Sequence, residues 1–408
     1  MEMNEKMKRF TLVLMMMALL MTGCSAGVTS DEKVLFSWGG SETFSDDGAF
    51  HQRNSTISGG NVICYYSNDS GISIPLCNKP DCTHNITTSP DCNALANQPK
   101  GTFTADGRLY FMELDKETDD LNLICADING GNRRTVASVP HGAMSAGFIE
   151  RIRFSDGKLF YTTYDSIDTE LLDTANEIKV LDKYIASVRS IDVSSGEIKV
   201  LVKRQDYNAR ISNIAIMDNT LIYLYSYFTA PSSSADGYTD EEWNEFYRYG
   251  VYAVDLNTGD EKCLTDGYDR MALAGSCFDD FSYDRAVFYS TDTNKLYRYS
   301  EDVDTFTSFA ECVNINNWFI SNNKYALFLE KPDDESFKRY NFETGETTEI
   351  SRDGFVPVYL NGTITGDKVW FGYTDGNDAY CRGYMDCKDL MNGNYDGFKF
   401  AYYVNEEG

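Results

Sequence analysis

Apolar residues along this chain do not recur at the 3.6-residue spacing of an amphipathic helix. Instead, a short phrase recurs in which a tight turn leads into an aromatic-rich run. We count seven copies: GGNVICYYS at Gly59, ADGRLYFME at Ala105, SDGKLFYTT at Ser155, MDNTLIYLY at Met217, YDRAVFYST at Tyr283, NNKYALFLE at Asn322 and TGDKVWFGY at Thr365. Their separation is roughly 50 residues, which is the length of one four-stranded propeller blade with its loops.

A second phrase follows most copies and predicts a hairpin between the last two strands of each unit. It occurs as ADINGGNRRTV at Ala126, IDVSSGEIKVL at Ile191, VDLNTGDEKCL at Val254 and YNFETGETTEI at Tyr340. The glycine in each phrase supplies the positive φ that a tight hairpin turn needs, and apolar residues alternate on either side. The two phrases together predict an all-β fold, a β-propeller of seven four-stranded blades within a range of six to eight. Most aromatic residues are then expected to pack between blades.

One insertion interrupts the repeats between residues 229 and 250. It begins with a Pro and Ser cluster, and Thr239 with Glu242 forms a capping box that predicts a short helix near residues 238–248. The insertion either caps its own blade or forms a recognition surface. Its aromatic side chains are our candidate recognition residues: Trp243, Phe246 and Tyr247.

The N-terminus has the pattern of an export signal. A basic cluster precedes an apolar run from Phe10 to Met21, and that run is shorter than the roughly 20 residues that cross a bilayer. Met21-Thr22-Gly23-Cys24 resembles the bacterial lipobox, which implies that Cys24 carries the lipid and that cleavage occurs just before it. We therefore predict a lipoprotein signal peptide over residues 1–23, a lipidated tether over 24–45 and the propeller over 46–408.

Charge narrows the choice of partners. The formal net charge is -27, and loss of the leader, with its three basic and two acidic residues, makes it -28. Such a field repels phosphate backbones, so nucleic acid is not expected as a partner. The expected partners are the membrane, through the N-terminal lipid, and a protein or glycan ligand.

Three cysteines and one of the three histidines lie close together in the sequence. Cys77, Cys82, His84 and Cys92 have the spacing C-x4-C-x-H-x7-C. Thiolates and imidazoles are the ligands of tetrahedral structural zinc, so the four residues form a candidate metal site. The spacing matches no standard zinc-finger pattern, and disulfides are the usual state of exported cysteines. A disulfide clasp is therefore the alternative.

The remaining cysteines bear on that choice. Those in or beside predicted strands are expected to be small buried apolar residues: Cys64, Cys125, Cys263, Cys277 and Cys312. Three local cysteines cannot all pair with one another, so a disulfide scheme leaves one over. That one would reach Cys381 or Cys387, because the first and last blades of a closed propeller are neighbours. Either outcome predicts a structural role for the cluster.

The cysteine-rich stretch also supports a resemblance. CNKPDCTH, followed by CNA, resembles an element of uncharacterised surface lipoproteins of the Firmicutes type that carry β-propeller repeats. The resemblance covers the lipobox, residues 77–94 and the repeated hairpins. It implies a cell-surface propeller and provides no catalytic residues.

Two further motifs occur in the sequence. SNDSGISI at Ser67 resembles the Asp-box of sialidases, with Ser73 and Ile74 in place of Thr and Trp, and that box is a hairpin turn rather than an active site. Oxygen-rich residues near the C-terminus form a candidate calcium site: Asn392, Asn394, Asp396, Asp375 and Asp378. An EF-hand is excluded, because Tyr403 stands where the bidentate Glu would be.

No motif for nucleophilic, phosphate-binding or zinc-protease chemistry occurs in the sequence. We therefore predict a lipid-anchored propeller on the extracytoplasmic face of the cell membrane that binds a protein or glycan ligand without catalysis. The alternative is an extracellular carbohydrate-active enzyme with carboxylates at the channel mouth. Structural zinc or calcium are the only cofactors proposed.

Overall fold

In this computed structural model of the 408-residue chain, the fold can be described over most of the sequence. The described residues are 35–36, 41–54, 60–118, 120–140, 152–173, 178–217, 219–229, 246–264, 271–273, 287–290, 294–300, 305–311, 319–322, 324–331, 334–357, 362–377 and 379–404. They form antiparallel sheets in which strands adjacent in sequence pair with one another.

The first half of the chain forms three sheets. The first contains β1 (Leu35–Phe36), β2 (Thr43–Phe44), β3 (Gly48–Asn54), β4 (Gly60–Ser67), β5 (Ile72–Pro75) and β6 (Leu95–Asn97). The second contains β7 (Lys100–Ala105), β8 (Arg108–Leu114), β9 (Leu121–Ala126) and β10 (Arg134–Val139). The third contains β11 (Ile152–Ser155), β12 (Lys158–Asp173), β13 (Ile178–Asp192), β14 (Ile198–Met217), β15 (Thr220–Phe228), β16 (Tyr247–Asp255) and β17 (Glu261–Cys263).

Three four-stranded sheets follow. The first contains β18 (Met271–Leu273), β19 (Val287–Ser290), β20 (Lys295–Ser300) and β21 (Thr305–Glu311). The next contains β22 (Phe319–Ser321), β23 (Tyr325–Phe328), β24 (Ser336–Asn341) and β25 (Thr347–Ser351). The last contains β26 (Gly362–Thr365), β27 (Lys368–Thr374), β28 (Tyr380–Asp386) and β29 (Lys399–Tyr403), with the short helix α1 (Cys387–Met391) before β29.

The seven-stranded sheet holds two repeat units that share β14. The first part of this strand pairs with β13, the last part pairs with β15, and the register shifts between Tyr207 and Arg210. Division of the sheet within β14 yields seven units in chain order, which we call blades 1 to 7. Blade 1 is the first sheet and blade 7 the last. The all-β propeller is confirmed, and the count of seven blades, which rests on this division, stays a prediction.

Apolar clusters join each blade to the next. Seven clusters of buried side chains are present among the described residues, and each joins two blades; in six of them the two blades are consecutive along the chain. One of them contains Phe44 and Tyr66 of blade 1 together with Trp370 of blade 7, so the clusters close a ring. Burial of both faces of each sheet explains the density of aromatic and branched residues in every strand.

With one exception, the repeated phrases lie before the second strand of a blade, as expected for a propeller. The six copies from Ala105 onward lead into the second strand of blades 2 to 7. The assignment of the copy at Gly59 is wrong. When β2 is counted as the first strand of blade 1, this copy leads into the third strand, β4, instead of the second, β3. The equivalent turn is formed by Ser45 to Gly48, where the Ser45 N–H donates to the Gly48 carbonyl at 2.9 Å. Strands β1 and β2 also precede residue 46, so blade 1 begins before the predicted boundary.

The four predicted hairpin turns are confirmed. Gly130, Gly196, Gly259 and Gly345 all have φ between 72° and 79°. At two of them the lack of a side chain also allows blades to approach each other. A Cβ on Gly130 would collide with the Asn93 carbonyl of blade 1, and a Cβ on Gly196 would collide with the Val136 carbonyl of blade 2.

The helix predicted near residues 238–248 is wrong at its C-terminal end, because β16 begins at Tyr247 and pairs with β15. The rest of that segment, through residue 245, lies outside the described residues. Elsewhere in the described part of the chain, no helix is long and apolar enough to cross a membrane.

Side chains, rather than a shared strand, close the ring in the described residues. Arg382 of blade 7 donates from Nε to both carboxylate oxygens of Glu42, at 3.0 Å each, and its Nη2 also bonds to Glu42. The Tyr402 hydroxyl donates to Glu42 at 2.9 Å, and the Trp370 indole N–H donates to the Ser45 carbonyl at 3.1 Å. Burial acts to raise the pKa of Glu42, but the charge of Arg382 and the hydrogen bonds from Arg382 and Tyr402 outweigh it. The pKa of Glu42 is therefore below its usual value.

A buried histidine packs against the same contact. The His51 ring stacks on the Tyr402 ring with centroids 4.1 Å apart, and its Nε2 lies 2.6 Å from the Ser73 hydroxyl. Burial lowers the pKa of His51 to about 4, with a smaller opposing effect from the Glu42 charge. The folded protein therefore holds this imidazole neutral at pH values where the unfolded chain protonates it.

We predict that this histidine makes stability depend on pH. Between pH 6.5 and about 4, the unfolded chain takes up a proton at His51 and the folded chain does not, so the unfolding free energy falls with pH by about 2 to 3 kcal/mol. Urea midpoints of the wild type and of His51→Gln at pH 7, 6 and 5 measure this. The wild type should lose more stability than the variant, and equal losses in the two proteins would contradict the prediction.

Candidate metal centre

The cysteine–histidine loop, residues 76–94, interrupts the outermost strand of blade 1. Strand β5 pairs with the C-terminal half of β4, and β6 pairs with its N-terminal half. Both ends of the loop are fixed at one residue, because the Leu76 N–H donates to the Ile63 carbonyl at 3.0 Å and the Ile63 N–H donates to the Ala94 carbonyl at 2.9 Å. The loop therefore leaves the blade and returns at the same point.

Local turns direct the four candidate ligands toward one another. Asp81 and His84, on either side of Cys82, have left-handed backbone with φ of 58° and 54°. This conformation is uncommon without glycine, although Asp and His adopt it more readily than most residues. Before the last ligand, the Cys92 N–H donates to the Ser89 carbonyl at 3.0 Å. The chain thus reverses direction repeatedly within a short loop.

The ligand atoms of Cys77, Cys82, His84 and Cys92 all lie within 4.8 Å of one another. His84 Nδ1 is 3.4 Å from Cys92 Sγ. With Zn–S bonds of about 2.3 Å, sulfur atoms at tetrahedral corners would be about 3.8 Å apart. A small contraction of this cluster would therefore suffice for four-coordinate binding of an ion. Among the described residues, no other set of three or more His, Cys, Asp or Glu side chains converges in this way.

The electrostatics of the cluster differ from ligand to ligand. Burial acts to raise the pKa of the Cys82 thiol, but hydrogen bonds with the His84 N–H and nearby side chains outweigh it and lower that pKa. Burial raises the pKa of Cys92 to about 12. Burial and the charge of Arg53 lower the pKa of His84, which favours the neutral imidazole that binds metals.

No disulfide joins cysteines in the part of the chain that the structure describes. Cys381 and Cys387, the partners considered for a disulfide with the loop, are buried in blade 7. Cys387 packs in the cluster between blades 6 and 7, where Asn322 Nδ2 donates to its sulfur at 3.3 Å. The loop cysteines therefore face one another and His84 instead of the last blade.

The expectation of buried strand cysteines is met at Cys64 and Cys125 and is wrong at Cys263, which is exposed on the edge strand β17. Cys277 and Cys312 lie outside the described residues, as does the predicted lipidation residue Cys24.

The candidate recognition residues are only partly described. Phe246 is half-buried at the base of the insertion, where its ring packs on Phe228 with centroids 5.6 Å apart. Tyr247 starts β16, and of this residue only the backbone is described. Trp243 lies outside the described residues. Phe246 therefore contributes to packing within its own blade, and a recognition role for the three residues stays a prediction.

Two of the residues proposed as calcium ligands, Asn392 and Asp375, have protein partners for their side-chain oxygens. Asn392 Oδ1 accepts a hydrogen bond from Arg339 at 3.1 Å. Asp375 accepts the backbone N–H groups of Asn377 and Ala379 at 2.8 and 3.0 Å. Asp378 is outside the described residues. The Asp-box segment forms the β4–β5 turn, in which the Gly71 N–H donates to the Ser67 carbonyl at 2.8 Å.

Comparison with known proteins supports the fold. No protein-family profile matches the chain, and no curated protein matches it. A puromycin-hydrolysing peptidase of Mycobacterium tuberculosis is similar in structure, with a TM-score of 0.54 and 11% identity over 94% of this chain and 55% of that chain. An acylaminoacyl peptidase in complex with a chloromethyl ketone has a TM-score of 0.50 and 12% identity, over 91% of this chain and 53% of that one.

The β-propeller domain of the Trilobed protease from Pyrococcus furiosus is also similar, with a TM-score of 0.48 and 12% identity over 92% of this chain and 100% of that chain. The chain thus spans about half the length of the two peptidases. At these identities the likeness to the two peptidases shows the fold alone.

Proposed function

We propose that this chain is a lipid-anchored β-propeller on the extracytoplasmic face of a cell membrane, and that it binds a protein or glycan ligand without catalysis. The observation that carries the proposal is the position of β1. This strand pairs with β2, and its Cα atoms come within 8 Å of those of β11 and β26.

The location of β1 follows from the sheet order. Strands β11 and β26 are the first strands of blades 3 and 7, and the first strands of propeller blades surround the central channel. A strand that pairs with β2 and also approaches two other inner strands lies in that channel. A catalytic pocket on the propeller axis would need the same space.

The buried charged groups also favour binding over catalysis. Glu42, Arg382 and His51 have the chemistry of an acid–base site, but Glu42 is only 5% exposed and its oxygens accept hydrogen bonds from Arg382 and Tyr402. A general acid or base must reach the proton that it transfers. The Glu42 carboxylate instead links blade 1 to blade 7 through these hydrogen bonds.

The proposed anchor sets the distance between propeller and membrane. Leu35 in β1 follows Cys24 by 11 residues, and an extended chain of that length spans at most about 40 Å. The propeller would therefore stay close to the membrane surface. Its strong negative charge favours partners other than nucleic acid or anionic lipid.

We predict that Cys24 carries the anchor. Cells that express Cys24→Ala and are fed radiolabelled palmitate should yield unlabelled protein, because the thiol that accepts the lipid is absent. Cys263→Ser, which removes an exposed thiol on β17, should keep both label and membrane association. Label on Cys24→Ala would contradict the assignment.

We predict that the ligand is bound and released unchanged. The full chain in detergent is screened against a glycan array and against surface proteins by crosslinking, and captured ligands are analysed by mass spectrometry. Trp243→Ala should weaken binding about tenfold or more, because aromatic anchors dominate such contacts. The matched control is Phe400→Ala, at an exposed ring on β29. Recovery of a cleaved glycan would replace the proposal with the enzyme alternative.

A further inference from the structure

We propose that Cys77, Cys82, His84 and Cys92 together bind one Zn²⁺ ion, and that this ion holds the cysteine–histidine loop against blade 2. The proposal rests on the convergence of the four side chains and on the contacts that the loop makes with the neighbouring blade.

The ligand set indicates the metal and the kind of site. Three thiolates and one imidazole are soft or borderline ligands that suit zinc, whereas calcium and magnesium need oxygen ligands. Four protein ligands fill the tetrahedral coordination sphere of zinc, so no position is left for a water molecule or a substrate. The site is therefore structural, in agreement with its position on the outer edge of blade 1.

An ion explains features that a disulfide does not. A disulfide would use two of the three sulfur atoms and would need neither the third nor His84. Here all four ligand atoms gather within 4.8 Å of one another, and His84 turns toward Cys92 through a left-handed backbone. Such backbone persists only where the surrounding structure holds it. A metal–nitrogen bond at His84 would do so.

Positive charge near the cluster complements the metal-bound thiolates. Three thiolates and one Zn²⁺ ion leave a net charge of about -1. Arg133 interacts electrostatically with Cys92, and Lys79 interacts with Cys77 and Cys82. Lys79 also pairs with Asp91 across the loop at 2.8 Å. The protein thus supplies positive charge near the site, which stabilises thiolates.

The loop connects the site to blade 2. Cys92 is buried in the cluster that joins Ile63 of blade 1 to Leu109 and Phe111 of blade 2. Next to it, the Asn93 carbonyl accepts a hydrogen bond from Arg133, whose guanidinium lies 5.0 Å from the centre of the Phe111 ring. An ion that fixes Cys92 therefore also fixes the surface on which blade 2 packs.

Metal analysis of the full chain tests the proposal. The protein is purified from membranes in detergent, under reducing conditions, through a tag without His or Cys. We expect about one zinc ion per chain, and close to none in Cys82→Ser and His84→Ala. The control Cys263→Ser, an exposed thiol outside the cluster, should retain the ion. Cobalt in place of zinc should show the visible bands of tetrahedral Co²⁺ with thiolate ligands.

Stability provides a second readout that does not depend on the variants being folded. A chelator should lower the melting temperature of the wild type by several degrees, since an ion that binds only the folded state stabilises it. The proposal is overturned if the wild type contains almost no zinc and develops no cobalt bands. It is equally overturned if the natively purified protein has a disulfide between any two of the three loop cysteines.

Discussion

The contact between the first and last blades is the constraint on which the rest of the structure depends. The other six apolar clusters of the described residues join blades that are consecutive along the chain, whereas this contact brings together residues 340 positions apart, Glu42 and Arg382. A contact of this range carries the largest loop-closure cost in the fold. Among the described residues no strand is exchanged between the two sheets. The contacts that join them include a buried ion pair, a tyrosine and the packing of Trp370.

Blade 1, which takes part in this closure, also contains several unusual features of the chain. One face of this sheet packs on blade 7 through Phe44 and Tyr66, and the other packs on blade 2 through Ile63 and Cys92. On its inner side it carries β1, and on its outer side its last strand is divided by the cysteine–histidine loop. A divided edge strand has fewer ladder hydrogen bonds than a continuous one, and a metal ion in the loop would compensate for that loss. In the proposed function, this ring of blades binds its ligand close to a membrane.

Local features of this fold were predictable from sequence, and long-range ones were not. Hairpin turns at Gly130 and Gly345 depend on a residue that tolerates positive φ, and glycine is such a residue, visible directly in the sequence. The convergence of the four candidate metal ligands was predictable for a similar reason, because they lie within one short loop. The first repeat was misplaced by one strand, although the turn Ser45 to Gly48 carries the same Ser, Asp and Gly residues as later copies. Ring closure determines both the pairing of Glu42 with Arg382 and the position of β1. No local sequence pattern predicts ring closure.

A double-mutant cycle on the closing ion pair tests the central claim most directly. Denaturation midpoints would be measured for the wild type, Glu42→Gln, Arg382→Met and the double variant, with Lys338→Met as a control at a surface pair. Removal of one partner leaves a buried charge, so each single change should cost about 3 to 5 kcal/mol, and the control less than about 1 kcal/mol. We predict that the double variant loses about 2 to 3 kcal/mol less than the sum of the two single losses. Additive losses, within about 0.5 kcal/mol, would show that the first and last blades do not meet through this pair.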